Sequence, residues 1–583
     1  MIHSPSRWTN SSRDQKVFTY YPWELAYLSS LLKNKTEHEV KFIDGCLEKL
    51  NHERFIERIS AYQPDYLIME SSTRTINADS KFAGAVKKEF GTKLVFCGQH
   101  PTAFPKEVMG YADYVCLGEY EYTVLDIIQG KEPSDIPGLY PNPRREPLDI
   151  NSLPWPEDED VSRMDYADPG EPSSEYLEVQ MYASRGCPLS CSFCVCGNLY
   201  YSKPNWRQRN IQDIIAELNY LKNKYPAMEG IFFDEEVHNA GKTFVMNLTK
   251  AICEAGLNDL KFEAMCGYWT LDEDMLRRMK EAGYYMIRLG IETAGKTTAE
   301  EIGLKKKFNI PKLWKVLRAA KDLQIKIYGT FTFGGPGSSD DEDKQTIQLI
   351  NDLISEDLLW RFQLSICTPQ PGTPFFKTAM KNGYLKENTW EKFDGGNFSV
   401  MNYPNYNTEE ILRNFRAAEK YYDIALQNRN KVSLQKNIKK LKFSNIKKII
   451  LIRSARMWQV ERIIKSLKEA FQGSRITVLA QPQVENEIKK IQEVDQIILY
   501  DNAFFDISTF PKEILQKIQS KEYDLAVLPY NNLNGNGYKK AEKIGGEIRA
   551  KEFIAISIEN KIYDLSEQVS VKALSTESSY CKG

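Results

Sequence analysis

The chain has 583 residues, 42% hydrophobic and 27% charged, with a formal net charge of −2. At roughly 150 residues per domain, this length predicts two to four domains, and the near-neutral charge argues against nucleic acid as a partner. No apolar run approaches the ~20 residues of a membrane span, and the opening "MIHSPSRWTNSSRD" has no apolar signal core. The expected location is therefore cytoplasmic, with the eleven cysteines read as thiols or metal ligands rather than a disulfide framework.

Residues 1–150 alternate strand and helix patterns: "KVFTYY", the helix "ELAYLSSLLKN", "EVKFIDG", "PDYLIMESS", a helix through "ADSKFAGAVKKEF", "KLVFCG" and "ADYVCLGE". This rhythm predicts a parallel, doubly wound α/β sheet. The proline-rich "EPSDIPGLYPNPRREPLDINSLPWPEDED" reads as a linker or a draped strap, the interdomain stretch running over 151–175. Residues 176–400 carry six strand patterns: "YLEVQMYAS", "GIFFDEE", "LKFEAMCG", "MIRLGIET", "IKIYGTFTFG" and "FQLSICTPQP". Helices separate them, among them "DEDMLRRMKEAG", with Met275, Leu276 and Met279 on one face and Thr270 as the expected N-cap. Repeated βα units predict a barrel or an open part of one, with ligands at the C-terminal strand ends.

Residues 401–445 read as a helical extension ending in the basic "NRNKVSLQKNIKKLKFSNIKK", a solvated linker helix, or alternatively a membrane or nucleic-acid contact. Residues 446–583 hold "KIILIRSA", "RITVLAQ", "QIILYD", "YDLAVLPY" and "EFIAISIE", a further small doubly wound α/β domain. Its "LPYNNLNGNGYKKAEKIGG" sets glycines between strand and helix, as phosphate loops do, without the dinucleotide pattern. The domain has some likeness to half of a heptosyltransferase-type glycosyltransferase; docking or dimerisation is the other reading. No repeat of 20–50 residues is evident.

The stretch "RGCPLSCSFCVCG" at 185–197 contains Cys187, Cys191, Cys194 and Cys196. Zinc would want a fourth ligand, which Cys196 could supply, yet there is no paired knuckle and the chain has only five histidines. Three thiolates around four irons instead leave one iron open for a ligand.

Cys-x3-Cys-x2-Cys with Phe193 before the last cysteine resembles the signature of radical S-adenosylmethionine enzymes. The resemblance implies that Cys187, Cys191 and Cys194 hold a [4Fe–4S] cluster and that Phe193 packs beside it. The open iron would chelate S-adenosylmethionine, whose cleavage releases a 5′-deoxyadenosyl radical. Cys196 lies outside the motif and reads as a bystander. "FFDEE" lacks the family's Gly-Gly-Glu, so Asp234 and Glu235 are candidates for the cofactor's amino group, against a plain solvated strand end. In "LGIET", Glu292 resembles the carboxylate that contacts the cofactor, a group able to accept two hydrogen bonds. Gly334 and Gly335 in "FTFGGPGSSDDE" resemble the family's glycine-proline loop, where a ligand approaches backbone. "CTPQPGTPFF" matches a further loop of one large subgroup.

That subgroup carries an N-terminal cobalamin-binding domain, and the first block resembles one from "YYPWELAYLSSLLKN" to "HEVKFIDG". "LIMESSTRT" implies Ser71 and Ser72 near the dimethylbenzimidazole tail. "VFCGQHPTAFPKEV" and "ADYVCLGEYEYTVLDI" imply cobalamin contacts at Gly98, His100, Thr102, Gly118 and Glu119. A glycine at 98 would let the nucleotide-like tail slide between strands and helices. Methionine-synthase-type domains ligate cobalt through Asp-x-His-x-x-Gly, but "TYYPWELAYL" has no histidine, which implies cobalamin held without a histidine ligand. His100 reads as a loop-stabilising hydrogen-bonding group. Glu24 stands where a glycine is common; it can stabilise the helix start or crowd the corrin face.

Over about residues 15–400 the likeness implies three cofactors, a [4Fe–4S] cluster, S-adenosylmethionine and cobalamin, together with an electron donor such as flavodoxin or ferredoxin. It implies a methyltransferase acting on an unactivated carbon or phosphorus centre, with methylcobalamin as donor to a substrate radical. Cyclisation, rearrangement or oxidation without methyl transfer is the alternative, and a non-catalytic cobalamin or redox sensor is a third. The substrate is left open among small molecules, lipids and peptides, with peripheral membrane contact as an option.

Overall fold

The computed structural model describes residues 1–3, 20–167, 175–201, 203–304, 307–386, 389–396, 398–429, 434, 437–438, 441, 443, 445–501, 510–532, 535, 537–558 and 560–566. The chain forms two compact units, Met1–Asp423 and Ile424–Gly583.

The first unit opens with a five-stranded parallel sheet: β1 (Ile2–His3), β2 (Ile43–Asp44), β3 (Tyr66–Glu70), β4 (Lys93–Cys97) and β5 (Tyr114–Val115). Their spatial order is β2-β1-β3-β4-β5, a doubly wound arrangement that reverses direction between β1 and β3. Leu67–Met69 of β3 and Leu94–Cys97 of β4 are buried without alternation, as helices on both faces require. The strand expected at "KVFTYY" is not the one that pairs. Residues 16–19 lie outside the described residues, and Tyr20 and Tyr21 belong to no strand. Ile2 instead pairs with Ile43 and Met69. Two residues are too few to show an alternating pattern, which is why the sequence concealed this strand.

Six parallel strands follow: β6 (Glu178–Met181), then, past the ribbon β7 (Ser184–Arg185) and β8 (Arg207–Gln208), β9 (Gly230–Phe233), β10 (Lys261–Cys266), β11 (Tyr284–Glu292), β12 (Lys326–Phe333) and β13 (Arg361–Ile366). They pair in chain order with β6 and β13 as edges, an open βα barrel built from the six predicted strands. The proline-rich passage drapes as a strap. Lys33 of the helix Trp23–Lys35 meets Glu157 at 2.9 Å and Asp160 at 3.0 Å. Further along, Arg163 meets Glu217 of the barrel helix Ile211–Lys224 at 2.6 Å. In the helix Glu273–Glu281, Met275, Leu276 and Met279 are buried as predicted. Its cap is Asp272, which accepts the Met275 N–H at 2.9 Å, and not Thr270, whose hydroxyl turns back to the Gly267 carbonyl. Asp272 is three residues before Met275, the spacing at which a capping oxygen reaches an exposed N–H.

The second unit is a sheet of β14 (Lys448–Ile452), β15 (Arg475–Ala480), β16 (Gln496–Leu499), β17 (Tyr523–Pro529), β18 (Ala550–Ile556) and β19 (Ile562–Asp564). Its order is β16-β15-β14-β17-β18-β19; β19 runs antiparallel and was not foreseen, being only three residues long at an edge. Much of the basic stretch at 428–448 lies outside the described residues; Leu434 and Ile438 within it are buried in this unit's core. Among the described residues no helix is long and apolar enough to cross a membrane.

Candidate functional site

The cysteine loop leaves β7 at Arg185. Its backbone is pinned from several directions. Asn205 N–H donates to the Cys187 carbonyl at 2.9 Å, and Asn198 Nδ2 donates to the carbonyls of Cys191 and Cys194, each at 2.8 Å. Ser192 N–H reaches the Ile302 carbonyl at 2.8 Å. Phe193 packs with Leu189 and Cys191 on Ala299, Ile302 and Leu304, so the aromatic residue anchors the loop to the barrel. A π-helical turn, Cys196–Tyr200, closes it; such turns recur at functional sites.

Burial pushes the Cys187 thiol up to about 11 and Cys191 higher still, with Lys307 opposing. Cys194 is drawn down by a hydrogen bond from the neighbouring Cys196 thiol. Among the described residues no three His, Cys, Asp or Glu side chains converge as ligands of one ion do; thiolates bound to separate irons of a cluster need not. Cys187 and Cys191, costly to ionise unaided, and Cys194 beside them fit a cationic cluster that takes up their charge.

The strand ends around this loop are acidic. Asp234 is pushed up to about 7 by burial, with Arg288 opposing. Glu235 is not a solvated strand end but 2% exposed. Its oxygens accept from Ser184 N–H and Ser184 Oγ, both at 3.0 Å, and pair with His238 Nδ1 at 2.6 Å, so the protein itself engages them. The next residue, Glu236, accepts the Gly186 N–H at 2.9 Å and the Tyr201 hydroxyl, and its charge bears on Cys187 and Cys194. Sequence reasoning passed over Glu236, although it directly continues the acidic run.

Glu292 ends β11 where the register with β12 shifts, in a left-handed backbone with φ 66°. A non-glycine residue held there marks stored strain of the sort that collects at functional sites. Burial pushes its carboxyl up to about 7, and its side-chain contact is a long one of 3.5 Å from the Thr332 hydroxyl. This is an acceptor with capacity to spare. Gly334 donates to Asp343 at 3.0 Å, and the carbonyls of Gly334 and Gly335 accept the Tyr403 hydroxyl at 3.1 and 2.7 Å. That loop is therefore held from behind. Within the barrel, Arg288 pairs with Glu263 and lies 4.1 Å from the Phe232 ring centroid. Two charges inside the apolar strand patterns "LKFEAMCG" and "MIRLGIET" were the signal that could have found them.

At the C-terminal edge of the first sheet, most of the predicted cobalamin residues are engaged by the protein. Ser71 donates to Asp79, and Ser72 meets Thr75 at 3.1 Å. A side chain at Gly98 (φ 99°) would come within 2.6 Å of Glu70 Cγ, so the fold itself demands glycine there. His100 is fully buried, its ring nitrogens 3.3 Å from Thr73 Oγ1 and 3.4 Å from Glu107 Oε1. Thr102 joins two loops, donating to the Gly98 carbonyl at 2.6 Å and accepting the Gly118 N–H at 3.0 Å. A Cβ at Gly118 would sit 2.7 Å from the carbonyl oxygen of Tyr200, which places this loop directly against the cysteine loop. Glu119 takes both Nη atoms of Arg207, at 2.9 and 3.0 Å, and Arg185 at 3.2 Å. Glu121 takes Arg185 at 2.6 Å.

The sheet reverses direction between β1 and β3, where ligands of such folds lodge. Glu24 starts the first helix there. Burial and the nearby charge of Glu70 push it up to about 8, with Arg185 opposing. Among the described residues, Glu121 Oε2 and Arg185 Nη2 stay buried without partners. A free acceptor and a free donor fit a ligand fringed with primary amides, as a corrin is.

The family model for the B12 binding domain matches residues 17–128, and that for the Radical SAM superfamily matches residues 181–350. An uncharacterized methyltransferase of Pyrococcus horikoshii is 28% identical over 415 residues, covering 68% of this chain and 86% of that protein. An anaerobic magnesium-protoporphyrin IX monomethyl ester cyclase of Cereibacter sphaeroides is 23% identical over 381 residues, covering 61% of this chain and 60% of that protein. The solved structure of the cobalamin-dependent S-adenosylmethionine radical enzyme OxsB with aqua-cobalamin bound superposes with a TM-score of 0.54. It is 14% identical, covering 77% of this chain and 70% of that one, a likeness of fold.

Proposed function

We propose that this chain, which belongs to the radical S-adenosylmethionine enzymes carrying a B12-binding domain, transfers a methyl group to an unactivated carbon or phosphorus centre. Its cofactors are a [4Fe–4S] cluster, S-adenosylmethionine and cobalamin. When bound, the first two supply a 5′-deoxyadenosyl radical and cobalamin supplies the methyl group, while the protein positions the partners and excludes water.

One observation carries the reading: the 118–121 loop of the B12-binding domain lies against the cysteine loop, through Gly118 on Tyr200 and Glu121 on Arg185. That contact would set the residues holding the cluster and those holding cobalamin around one substrate. Cys187, Cys191 and Cys194 hold the cluster, and Glu292 accepts hydrogen bonds from hydroxyl or ammonium groups of S-adenosylmethionine. Asp234, at the end of β9, is a second acceptor. Trp23 of the first helix stacks on Tyr182 after β6, at 4.0 Å between ring centroids, and joins the two sheets' strand ends. An external one-electron donor of flavodoxin or ferredoxin type completes the reaction. The similarity to a protein named as a methyltransferase supports methyl transfer; the similarity to the cyclase favours ring closure on the same cofactors as the second reading.

Product analysis of the anaerobically reconstituted protein with S-adenosylmethionine, cobalamin and reductant separates the two. Methyl transfer gives S-adenosylhomocysteine beside 5′-deoxyadenosine, whereas 5′-deoxyadenosine alone favours ring closure. The absence of both refutes either.

A further inference from the structure

Arg185 and Glu121 stand out among the buried polar groups of the first unit. Both are almost fully buried, at 3% and 0% exposure. They share one hydrogen bond, Arg185 Nη1 to Glu121 Oε1 at 2.6 Å. The same Nη1 also reaches Glu119 Oε1 at 3.2 Å, and the guanidinium lies 5.2 Å from the Tyr27 ring centroid. The pair is thus held in place from two sides. Even so, Arg185 Nη2 and Glu121 Oε2 have no partner among the described residues. Leaving such groups buried and unpaired is costly, most of all when they are charged. Each such atom calls for a partner outside the chain, a ligand group or an ordered water.

The location narrows the ligand. Glu121 is the first residue of the helix Glu121–Ile128 behind β5, and both it and Arg185 act on Glu24 at the β1/β3 reversal, where ligands of doubly wound folds sit. The available pattern is one charged donor and one charged acceptor. An anion would be repelled by Glu121 and a cation by Arg185. A primary carboxamide offers its carbonyl to Arg185 Nη2 and an N–H to Glu121 Oε2.

We propose that Arg185 Nη2 and Glu121 Oε2 form the seat of a carboxamide, one of the acetamide or propionamide side chains around a corrin ring. This rests on the cobalamin reading of the first sheet and assigns it a contact distinct from the glycine and serine positions. It also ties the two cofactor sites together. Arg185 is followed by Gly186, whose N–H is held by Glu236, and Cys187 is the next residue.

The test compares two corrinoids on the full chain by absorbance titration. Cobinamide keeps the side-chain amides; the heptamethyl ester of cobyrinic acid replaces them with esters that cannot donate. Wild-type protein should bind cobinamide more tightly, and in Glu121→Ala that preference should shrink about tenfold, the worth of a hydrogen bond to a charged acceptor. Glu121→Gln, which retains an acceptor and similar bulk, should recover part of it. The same preference in Glu121→Ala as in wild type, or none in wild type, overturns the seat. If wild-type protein binds neither corrinoid, the cobalamin reading falls with it. A melting curve for each variant shows whether the fold is kept, and the wild-type comparison needs no variant.

Discussion

The two doubly wound sheets of this chain use their C-terminal edges differently. On the first, charged groups reach across to the barrel: Glu119 and Glu121 take Arg185 and Arg207, and Thr102 ties the Gly98 and Gly118 loops together. On the second, the helix Met457–Ala470 behind β14 carries Trp458 and Arg462. The indole N–H and the Arg462 Nε and Nη1 atoms are buried without acceptors among the described residues. Arg462 has one hydrogen bond, Nη2 to the Ile558 carbonyl at 3.3 Å, and burial alone pushes it down to about 10. Among the described residues, the first edge is tied to the neighbouring barrel by ion pairs, while the second leaves these donors without acceptors. The B12-domain and radical-enzyme models match only within the first unit. Similar α/β sheets thus differ in what their strand ends are paired with.

The largest effect that tests this contrast falls on the cysteine loop. Cys187→Ala should abolish both the brown cluster absorbance and all 5′-deoxyadenosine formation, leaving the second unit folded. Absorbance spectra and chromatography of the products check the first two, and limited proteolysis the third. A variant that kept both signals would remove the basis for assigning the chemistry to the first unit.

Next comes the wiring itself. Arg185→Met leaves Glu119 and Glu121 buried with less compensation; breaking a buried pair from one side costs about 3–5 kcal/mol. Denaturant melting should show a loss of that order in the first unit. A loss below about 1 kcal/mol would mean that the edge is held by other contacts.

This wiring is also where sequence reasoning stopped. The cysteine spacing and the six barrel strands could be read directly, because spacing within one loop and apolar runs within one strand are local patterns. Glu121 and Arg185 are 64 residues apart, and each looks like an ordinary surface charge in its own stretch. Glu119 was assigned to cobalamin by resemblance, yet the arginines beside the cysteine loop take up its oxygens. The strand at Ile2–His3 was hidden for the opposite reason: it is so short that its pairing comes entirely from neighbours. Thr270 and Asp272 are both plausible caps in sequence, and only backbone geometry separates them.

Glu292 gives a smaller, pH-dependent effect. Its folded value of about 7 lies above the usual 4.5. Stability associated with the neutral carboxyl is therefore fully present below about 4.5 and is lost as pH rises through 7. In the cofactor-free protein, Glu292→Gln should remove that decline and be the more stable protein at pH 8. Under its proposed role the same substitution should weaken S-adenosylmethionine binding roughly tenfold above pH 7, by loss of a charge-assisted hydrogen bond. Thermal melts across pH and equilibrium dialysis read the two halves. A variant that binds the cofactor normally would leave Glu292 a strained residue without that role.

The smallest effect concerns the second sheet. Arg462→Met removes the hydrogen bond to Ile558 and the contact with the Trp458 ring, whose centroid is 5.1 Å from the guanidinium. Each is worth about 1 kcal/mol or less. It also removes a partly buried charge and two donors without acceptors, and that gain outweighs the losses. The melting temperature of the second unit should rise slightly, by the equivalent of less than about 1 kcal/mol, while production of 5′-deoxyadenosine stays at the wild-type rate. A marked fall in stability would show that Arg462 is paired in solution, and the contrast between the two edges would disappear.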